Sequence, residues 1–571
     1  TGQPPFPVLN YKELPNPMPT NAELWEDRKK PFVSWGSSYV RYKKEVPVPM
    51  EKAKNKINLP AWRGERVSAQ FVVSAYEKPL QLSFEVSDLI SNKNKSEKIS
   101  ESQILTGFVR YVMTDELNKD GKGGCGYRKA VDYDSTLVAD PIDHLTKKLK
   151  VPVNTTRPGW VRIWVPRNTT PGKYTGNVII RDDQKILKKL KLTVDVNPRI
   201  LPKPADWKFH LDLWQNPFAV ARYYQIELWS PEHFEHLRKD MKNYANAGGK
   251  VITASIIQKP WNGQTHDAFQ SMVKWIKKPD GTWKFDYTVF DKWVSFMMKM
   301  GIDQQINCYS MVPWRLSFRY FDQATNSYKS IETAPGEQAY EELWMAMLTS
   351  FAKHLKEKGW FDKTYIAMDE RDMETMKQTI KVIRKADEDF KISFAGSAHK
   401  ELFDDIDDYC VSLNDSFPPK VKQKRQEKGK ISTFYTSCSQ AYPNSFTFSP
   451  PAETEWYGWY AAHKNLDGYL RWAYNSWVLE PLLDSRFATW AAGDTYFVYP
   501  GGRTSLRFEK LVDGIEAFEK IQLLKAEFKQ NNDMESLSKL NKTLELFDKK
   551  KLDKMSATEI VKKANEVINS F

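Results

Sequence analysis

From about residue 31 to 200 apolar and polar positions alternate in short runs, among them SSYVRYKKEVPV, ERVSAQFVVSAY, LQLSFEVSDL, GFVRYVM, WVRIWVP, YTGNVIIRD and LKLTVDV. Proline, glycine and asparagine clusters separate them, so the stretch predicts half-buried strands and an all-β sandwich. Residues 1–30 form a proline-studded arm, PPFPVLNYKELPNPMP, too broken for regular structure. After the proline-rich 197–207 the period changes. Eight strand-like runs follow, most of them separated by helical or loop segments: 207–215, 250–258, 303–311, 363–370, 391–399, 408–415, 430–438 and 468–477. SPEHFEHLRKDMKNYANAGG starts on Ser-Pro and stops on Gly-Gly, and GEQAYEELWMAMLTSFAKHLKEKG ends at Gly359 after apolar residues at helical spacing.

This alternation predicts an α/β fold: a (β/α)8 TIM-like barrel over 201–500, an N-terminal β-sandwich over 31–200, and a C-terminal helical cap over 501–571 packed on the barrel. Insertions around 259–285 and 312–335 follow the second and third strands and are rich in Trp, Pro, Asn and Tyr. Loops after barrel strands lie on the catalytic face.

Composition narrows the function classes. The 571 residues hold 41% hydrophobic side chains, enough for large cores, yet no run approaches the roughly 20 apolar residues of a membrane helix, so no transmembrane segment is expected. Net charge is +13, but the 85 Lys and Arg are interleaved with 72 acids and form no basic arm, so nucleic acid is not an expected partner. The four cysteines, Cys125, Cys308, Cys410 and Cys438, contain no CxxC pair and suggest neither a disulfide framework nor a zinc site. GKGGCG, 121–126, lacks the context and final Lys-Ser/Thr of a phosphate loop and reads as a flexible turn.

In a barrel, groups at the carboxyl ends of the strands make the site. The fourth run, YIAMDE, ends in adjacent carboxylates Asp369 and Glu370, followed by Arg371 and Asp372. Strand neighbours face opposite ways, so both acids can address one ligand only if the chain leaves β geometry at 368–370. The alternative is structural, with Asp369 paired to a nearby base and Glu370 capping the next helix. The other strand ends supply His210, Asp212, Trp214, Gln258, Tyr309, Ser397, His399, Asn414, Asp415, Tyr435, Trp472, Tyr474, Asn475 and Trp477. Aromatic faces suit the C–H patch of a sugar ring and the polar groups suit its hydroxyls, so the lining points to carbohydrate. His210 and Asp212 could share a face toward a metal, but no HExxH pair appears, and neither metal nor cofactor is expected.

At YIAMDERD, GYLRWAYNSW and YPGGRTSLRFEKLVDGIEAFE, with the N-terminal β-domain, the chain resembles glycoside hydrolase family 123, the β-N-acetylgalactosaminidases. The resemblance implies an exo-acting retaining enzyme that releases terminal β-linked N-acetylgalactosamine from glycans or glycolipids, with the substrate's 2-acetamido group as nucleophile. It gives Glu370 the role of acid and base and Asp369 that of acetamide acceptor, and Tyr435 or Tyr474 would hold the acetamide carbonyl. A β-N-acetylglucosaminidase of the same mechanism and a non-catalytic carbohydrate-binding protein remain the alternatives. The β-domain is either a scaffold or a glycan binder. Through its expected substrate the protein would be secreted or periplasmic, although TGQPPFPVLN shows no signal. Oligomeric state is not legible.

Overall fold

The computed structural model describes residues 8–26, 28–115, 125–129, 131 and 134–571. Most of the glycine-rich turn at 121–126 therefore lies outside the described residues. The chain divides into two compact units: Lys208–Ser437 with Asn465–Leu479, and the described residues up to Trp207 with Cys438–Lys464 and Glu480–Phe571.

The first unit is a parallel eight-stranded barrel. Its strands are β1 (His210–Leu213), β2 (Val251–Ser255), β3 (Gln305–Tyr309), β4 (Thr364–Asp369), β5 (Lys391–Gly396), β6 (Asp408–Ser412), β7 (Ile431–Tyr435) and β8 (Gly468–Arg471). Each falls inside one of the eight expected runs. The ladder runs from β1 through β8, β7, β6, β5, β4 and β3 to β2. The gap between β1 and β2 is spanned by a bridge from Leu211 to Gly249 and by Lys250 N–H donating to Leu211 O at 3.0 Å.

Helices follow the strands in the expected places. α1 (Pro217–Tyr224) and α2 (Pro231–Asn246) follow β1, α3 (Thr288–Met300) precedes β3, and α4 (Gln338–Lys358) precedes β4. α5 (Met373–Ala386) follows β4, and α6 (Pro419–Glu427) follows β6. Ser230 accepts from His233 N–H at the start of α2, and Gly359 ends α4 in the left-handed conformation that favours glycine. The insertions after β2 and β3 pair with one another: strands Lys274–Lys277, Trp283–Asp286, Ser317–Asp322 and Ser327–Glu332 form one small sheet.

Inside the barrel a polar layer joins strands that are not neighbours. Gln305 of β3 donates to Asp408 of β6 at 2.7 Å, and Asn307 donates to Ser393 of β5 at 3.3 Å. Such side chains can meet only across the interior.

The second unit holds the sandwich, a six-stranded and a seven-stranded sheet closed over Phe71, Val73, Ile163, Val178 and Leu192. The strand Lys185–Ile200 runs into the proline-rich segment expected to be linker. The helices of this unit are α7 (Ala452–Lys464), α8 (Leu506–Gln530), α9 (Met534–Leu544) and α10 (Ala557–Ile568). The C-terminal helices, expected on the barrel, belong to the sandwich's unit: Thr504–Ser505 adds an edge to the six-stranded sheet, and α8 meets sandwich side chains through Arg66–Glu516 at 3.2 Å and Arg162–Glu509 at 2.7 Å. Cys125 and Cys438 form a disulfide across 313 residues of sequence, which corrects the expectation of no disulfide. A spacing motif cannot reveal a pair that only folding brings together. Cys308 and Cys410 are buried thiols.

Two predictions follow from packing. α7 and α8 cross where Gly458 meets Gly514, and a Cβ on Gly458 would lie 1.8 Å from the Gly514 carbonyl oxygen. Gly458→Ala should cost about 3 kcal/mol, at the upper end for overpacking, read from the denaturant midpoint. On α2, Asp240 is buried and neither carboxyl oxygen has a hydrogen-bond partner among the described residues, so burial holds its pKa well above the ordinary value. The native state then keeps a proton that the unfolded chain releases from about pH 4 upward, and stability falls as pH rises. The Tm advantage of Asp240→Asn over wild type should widen from about pH 5 to about pH 8; a constant difference would mean that Asp240 ionises normally.

Candidate active site

β4 carries TYIAMD through the barrel and ends at Asp369. The next residue, Glu370, has φ of +44°, a left-handed conformation that costs a residue with a Cβ roughly 1–2 kcal/mol. Its N–H still donates to Ala395 O of β5 at 2.8 Å. The turn breaks the alternation of side chains, which is the departure from β geometry that two adjacent acids need to face one ligand. The structural alternatives for the pair have other occupants. The cap of α5 is Asp372, which accepts from Thr375 N–H at 2.9 Å, and Asp369 is held by indoles rather than by a salt bridge.

Trp261 Nε1 donates to Asp369 Oδ1 at 3.1 Å, and Trp314 Nε1 donates to Oδ2 at 3.3 Å. Each oxygen of a carboxylate only 6% exposed thus has a donor. The two tryptophans sit in the loops after β2 and β3, and Trp314 N–H donates to Pro260 O at 3.0 Å, joining those loops. Burial pushes the Asp369 pKa up, while Trp261, Arg371 and Trp314 pull it back, leaving it raised. Glu370 is also raised, by the enclosing walls and then by the Asp369 carboxylate, against Arg371 and a hydrogen bond with Tyr435. The pair therefore joins an acceptor held by two neutral donors to a carboxyl that keeps its proton more readily than an ordinary glutamate.

Aromatic rings line the same space. Trp214 stacks on Trp261 with centroids 4.8 Å apart, and Tyr309 lies 4.6 Å from Trp214 and 4.9 Å from Trp261. Asp212 is buried next to this cluster with both oxygens lacking a well-formed hydrogen bond among the described residues. Burial and then Asp408 raise its pKa to about 8, against His210 and the Trp214 indole. Burial opposes a charge on His210, but Asp408, 3.5 Å from Nε2, outweighs it and raises its pKa.

The structure thus brings together Asp369, Glu370 and Tyr435, and beside them Trp214 and Tyr309, with Asp212 and His210 close by. It gives several other candidates structural partners. The Tyr474 hydroxyl donates to Asp240 O of α2 at 2.6 Å, Asn475 Oδ1 accepts from Asn216 N–H at 2.7 Å at the start of α1, and buried Trp477 packs edge-on against Tyr223 of α1 at 5.4 Å. Trp472 is half-buried just beyond β8. Gln258 accepts from Ser271 N–H, Asp415 from Ala398 N–H, and His399 Nε2 lies 3.3 Å from Arg371 O. Trp261, Trp314 and Asp408 were not singled out by strand position. The repeated Pro-Trp of KPWNG and VPWRL, one in each insertion, is the signal that could have found the first two.

Residues 214–524 match the glycoside hydrolase 123 catalytic domain and residues 35–182 the glycoside hydrolase 123 N-terminal domain. A family 123 glycoside hydrolase from Clostridium perfringens, whose structural analysis concerned glycolipid glycan hydrolysis, superposes with a TM-score of 0.84 at 29% identity, covering 95% of this chain and 97% of that one. A family 39 glycoside hydrolase from the gut symbiont Bacteroides cellulosilyticus WH2 reaches only 0.34 at 12% identity, over 81% of this chain and 82% of its own, too little to carry an argument. No curated protein matches the chain. The catalytic-domain match spans more than half of the sequence and contains the Asp369–Glu370 pair, and the protein belongs to glycoside hydrolase family 123.

Proposed function

We propose that this glycoside hydrolase is an exo-acting, retaining β-N-acetylgalactosaminidase that removes terminal β-linked N-acetylgalactosamine from glycans or glycolipids with the substrate's own acetamide as nucleophile. The observation that carries the reading is the unequal pair at the end of β4, an indole-held Asp369 beside a left-handed Glu370. Two carboxylates acting on one acetamido sugar need unequal roles, and substrate assistance is the exception to the usual pairing of acid and enzymic nucleophile.

In the first step Asp369 accepts a hydrogen bond from the acetamide N–H and turns the carbonyl oxygen toward the anomeric carbon. That oxygen forms the new bond to carbon, the glycosidic bond breaks, and the departing oxygen takes the proton of Glu370. The positive oxazolinium charge that develops lies next to the Asp369 carboxylate. In the second step Glu370 accepts a proton from water, which opens the oxazolinium with the original β configuration restored. Trp214, Trp261 and Tyr309 supply the aromatic wall, and Asp212 beside Trp214 supplies a polar group for the sugar. The hydrogen bond between Tyr435 and Glu370 supports Tyr435, rather than Tyr474, as the tyrosine that holds the acetamide carbonyl. The similarity to an enzyme studied for glycolipid glycan hydrolysis supports a glycolipid substrate, and the Cys125–Cys438 disulfide supports a secreted or periplasmic location.

A chromogenic β-N-acetylgalactosaminide should be hydrolysed, and the matching β-galactoside, which lacks the acetamide, should not. Preferential turnover of the β-N-acetylglucosaminide would assign the other C4 epimer, and turnover of the galactoside would remove the acetamide mechanism. Asp369→Asn and Glu370→Gln should each lose about a hundredfold or more in kcat with unchanged Tm, and azide should restore neither. Near-normal turnover by either variant would overturn its role. Because the Glu370 pKa is raised, wild-type kcat/KM should fall on the alkaline side at a pH above the ordinary glutamate value of about 4.3.

A further inference from the structure

The second unit holds a cavity of about 540 Å³ that shares no lining residue with the Asp369–Glu370 site. Tyr442, Pro443 and Phe448 line it from the segment between β7 and α7, and Leu552 and Ala557 from the segment that leads into α10. One carboxyl group stands among these apolar walls. Glu453, in the first turn of α7, is 5% exposed and lines the same cavity. Its Oε1 accepts from Asn444 N–H at 2.9 Å. Its Oε2 has no hydrogen-bond partner among the described residues and, unlike the carboxyl oxygens of Asp240, keeps accessible surface. The neighbouring polar groups have partners of their own. Ser556 caps α10 in a reciprocal pair with Glu559, and Arg41, whose charge acts on Glu453, is held by Asp140 Oδ1 and Ser449 O, both at 2.9 Å. Burial raises the Glu453 pKa to about 8, against the Asn444 N–H and the Arg41 charge. At neutral pH Oε2 therefore carries a proton, and that proton calls for an acceptor.

The ligand that fits is uncharged. A cation would be repelled by Arg41 and by the lysines of KKKLDK around Leu552. None of the lining residues is basic, so an anion would lose its water with no cation to replace it. What the cavity offers is one acid proton amid apolar and aromatic surface. An amide carbonyl beside a methyl group uses both, and the Tyr442 and Phe448 rings suit the C–H face of a sugar. We propose that this cavity binds an acetamido sugar, with Glu453 Oε2–H donating to the acetamide carbonyl oxygen and the acetyl methyl and sugar ring resting against Phe448 and Tyr442. Glu453 is the one carboxyl among the lining residues, so the site holds the sugar without hydrolysing it. Its occupancy does not depend on the reaction proposed at Asp369 and Glu370.

The test is calorimetric titration of the full chain with methyl α-N-acetylglucosaminide and with methyl α-glucoside, which lacks the acetamide. Neither glycoside titrates near neutral pH, so any pH dependence belongs to the protein. Wild type should bind the acetamido glycoside about tenfold more weakly at about pH 9 than at about pH 6, because only about a tenth of Glu453 keeps its proton at the higher pH. Glu453→Gln, whose amide N–H replaces the acid proton, should bind within about threefold of wild type at about pH 6 and lose the pH dependence. Glu453→Leu, with Tm to confirm folding, should weaken binding at about pH 6 by roughly tenfold, and Phe448→Ala by roughly fivefold. Methyl α-glucoside should show no binding that Glu453→Leu removes. Unchanged affinity in Glu453→Leu, a pH dependence that survives in Glu453→Gln, equal binding of the two glycosides, or no binding by wild type would each overturn the site. If Glu453→Leu does not fold, Glu453→Gln and Phe448→Ala decide.

Discussion

A carboxylate buried without a direct salt bridge needs neutral donors on both oxygens, and the site is organised around that need at Asp369. The two indole N–H groups that meet it come from loops that follow different strands, so both loops must be placed before the carboxylate is satisfied. The bond from Trp314 to Pro260 and the small sheet built from the same two insertions supply that placement. The insertions thus hold the carboxylate at the end of β4, and the chain takes its left-handed turn directly after it, at Glu370.

Beneath the site the barrel is not a purely apolar core. His210, Asp212, Gln305, Asn307, Ser393 and Asp408 are buried together, and Gln305 and Asn307 reach across the interior to β6 and β5. Buried polar groups are tolerated when paired, and the pairing ties opposite strands into one register. Asp212 departs from this pattern, since its oxygens are left open at the end of the network nearest Trp214.

In the second unit, α8 shows how charge can be internal. Its sequence reads as an amphipathic helix, and Arg507, Glu509, Lys510, Glu516, Glu519 and Lys520 are all buried. Sandwich side chains meet several of them: Glu65 pairs with Lys520, Arg66 with Glu516, and Asp140 with Arg507. This helix is a shared strut of the unit, and the glycine crossing with α7 sets how closely its neighbour can approach.

Local pattern alone determined the eight barrel strands, the sandwich runs, the start of α2, the stop of α4 and the Asp369–Glu370 pair at a strand end. Each depends on alternation, helical period or capping within a few residues, which neighbours in the chain report directly. The tertiary structure decided the rest. Trp261 and Trp314 meet Asp369 from positions 108 and 55 residues away, Cys125 finds Cys438 across 313 residues, and Tyr474, Asn475 and Trp477 turn to the helices around the barrel. A tryptophan in a loop has the same local signature whether it fills a core or holds a carboxylate. Only closure of the barrel, which brings the ends of distant strands to one face, distinguishes the two.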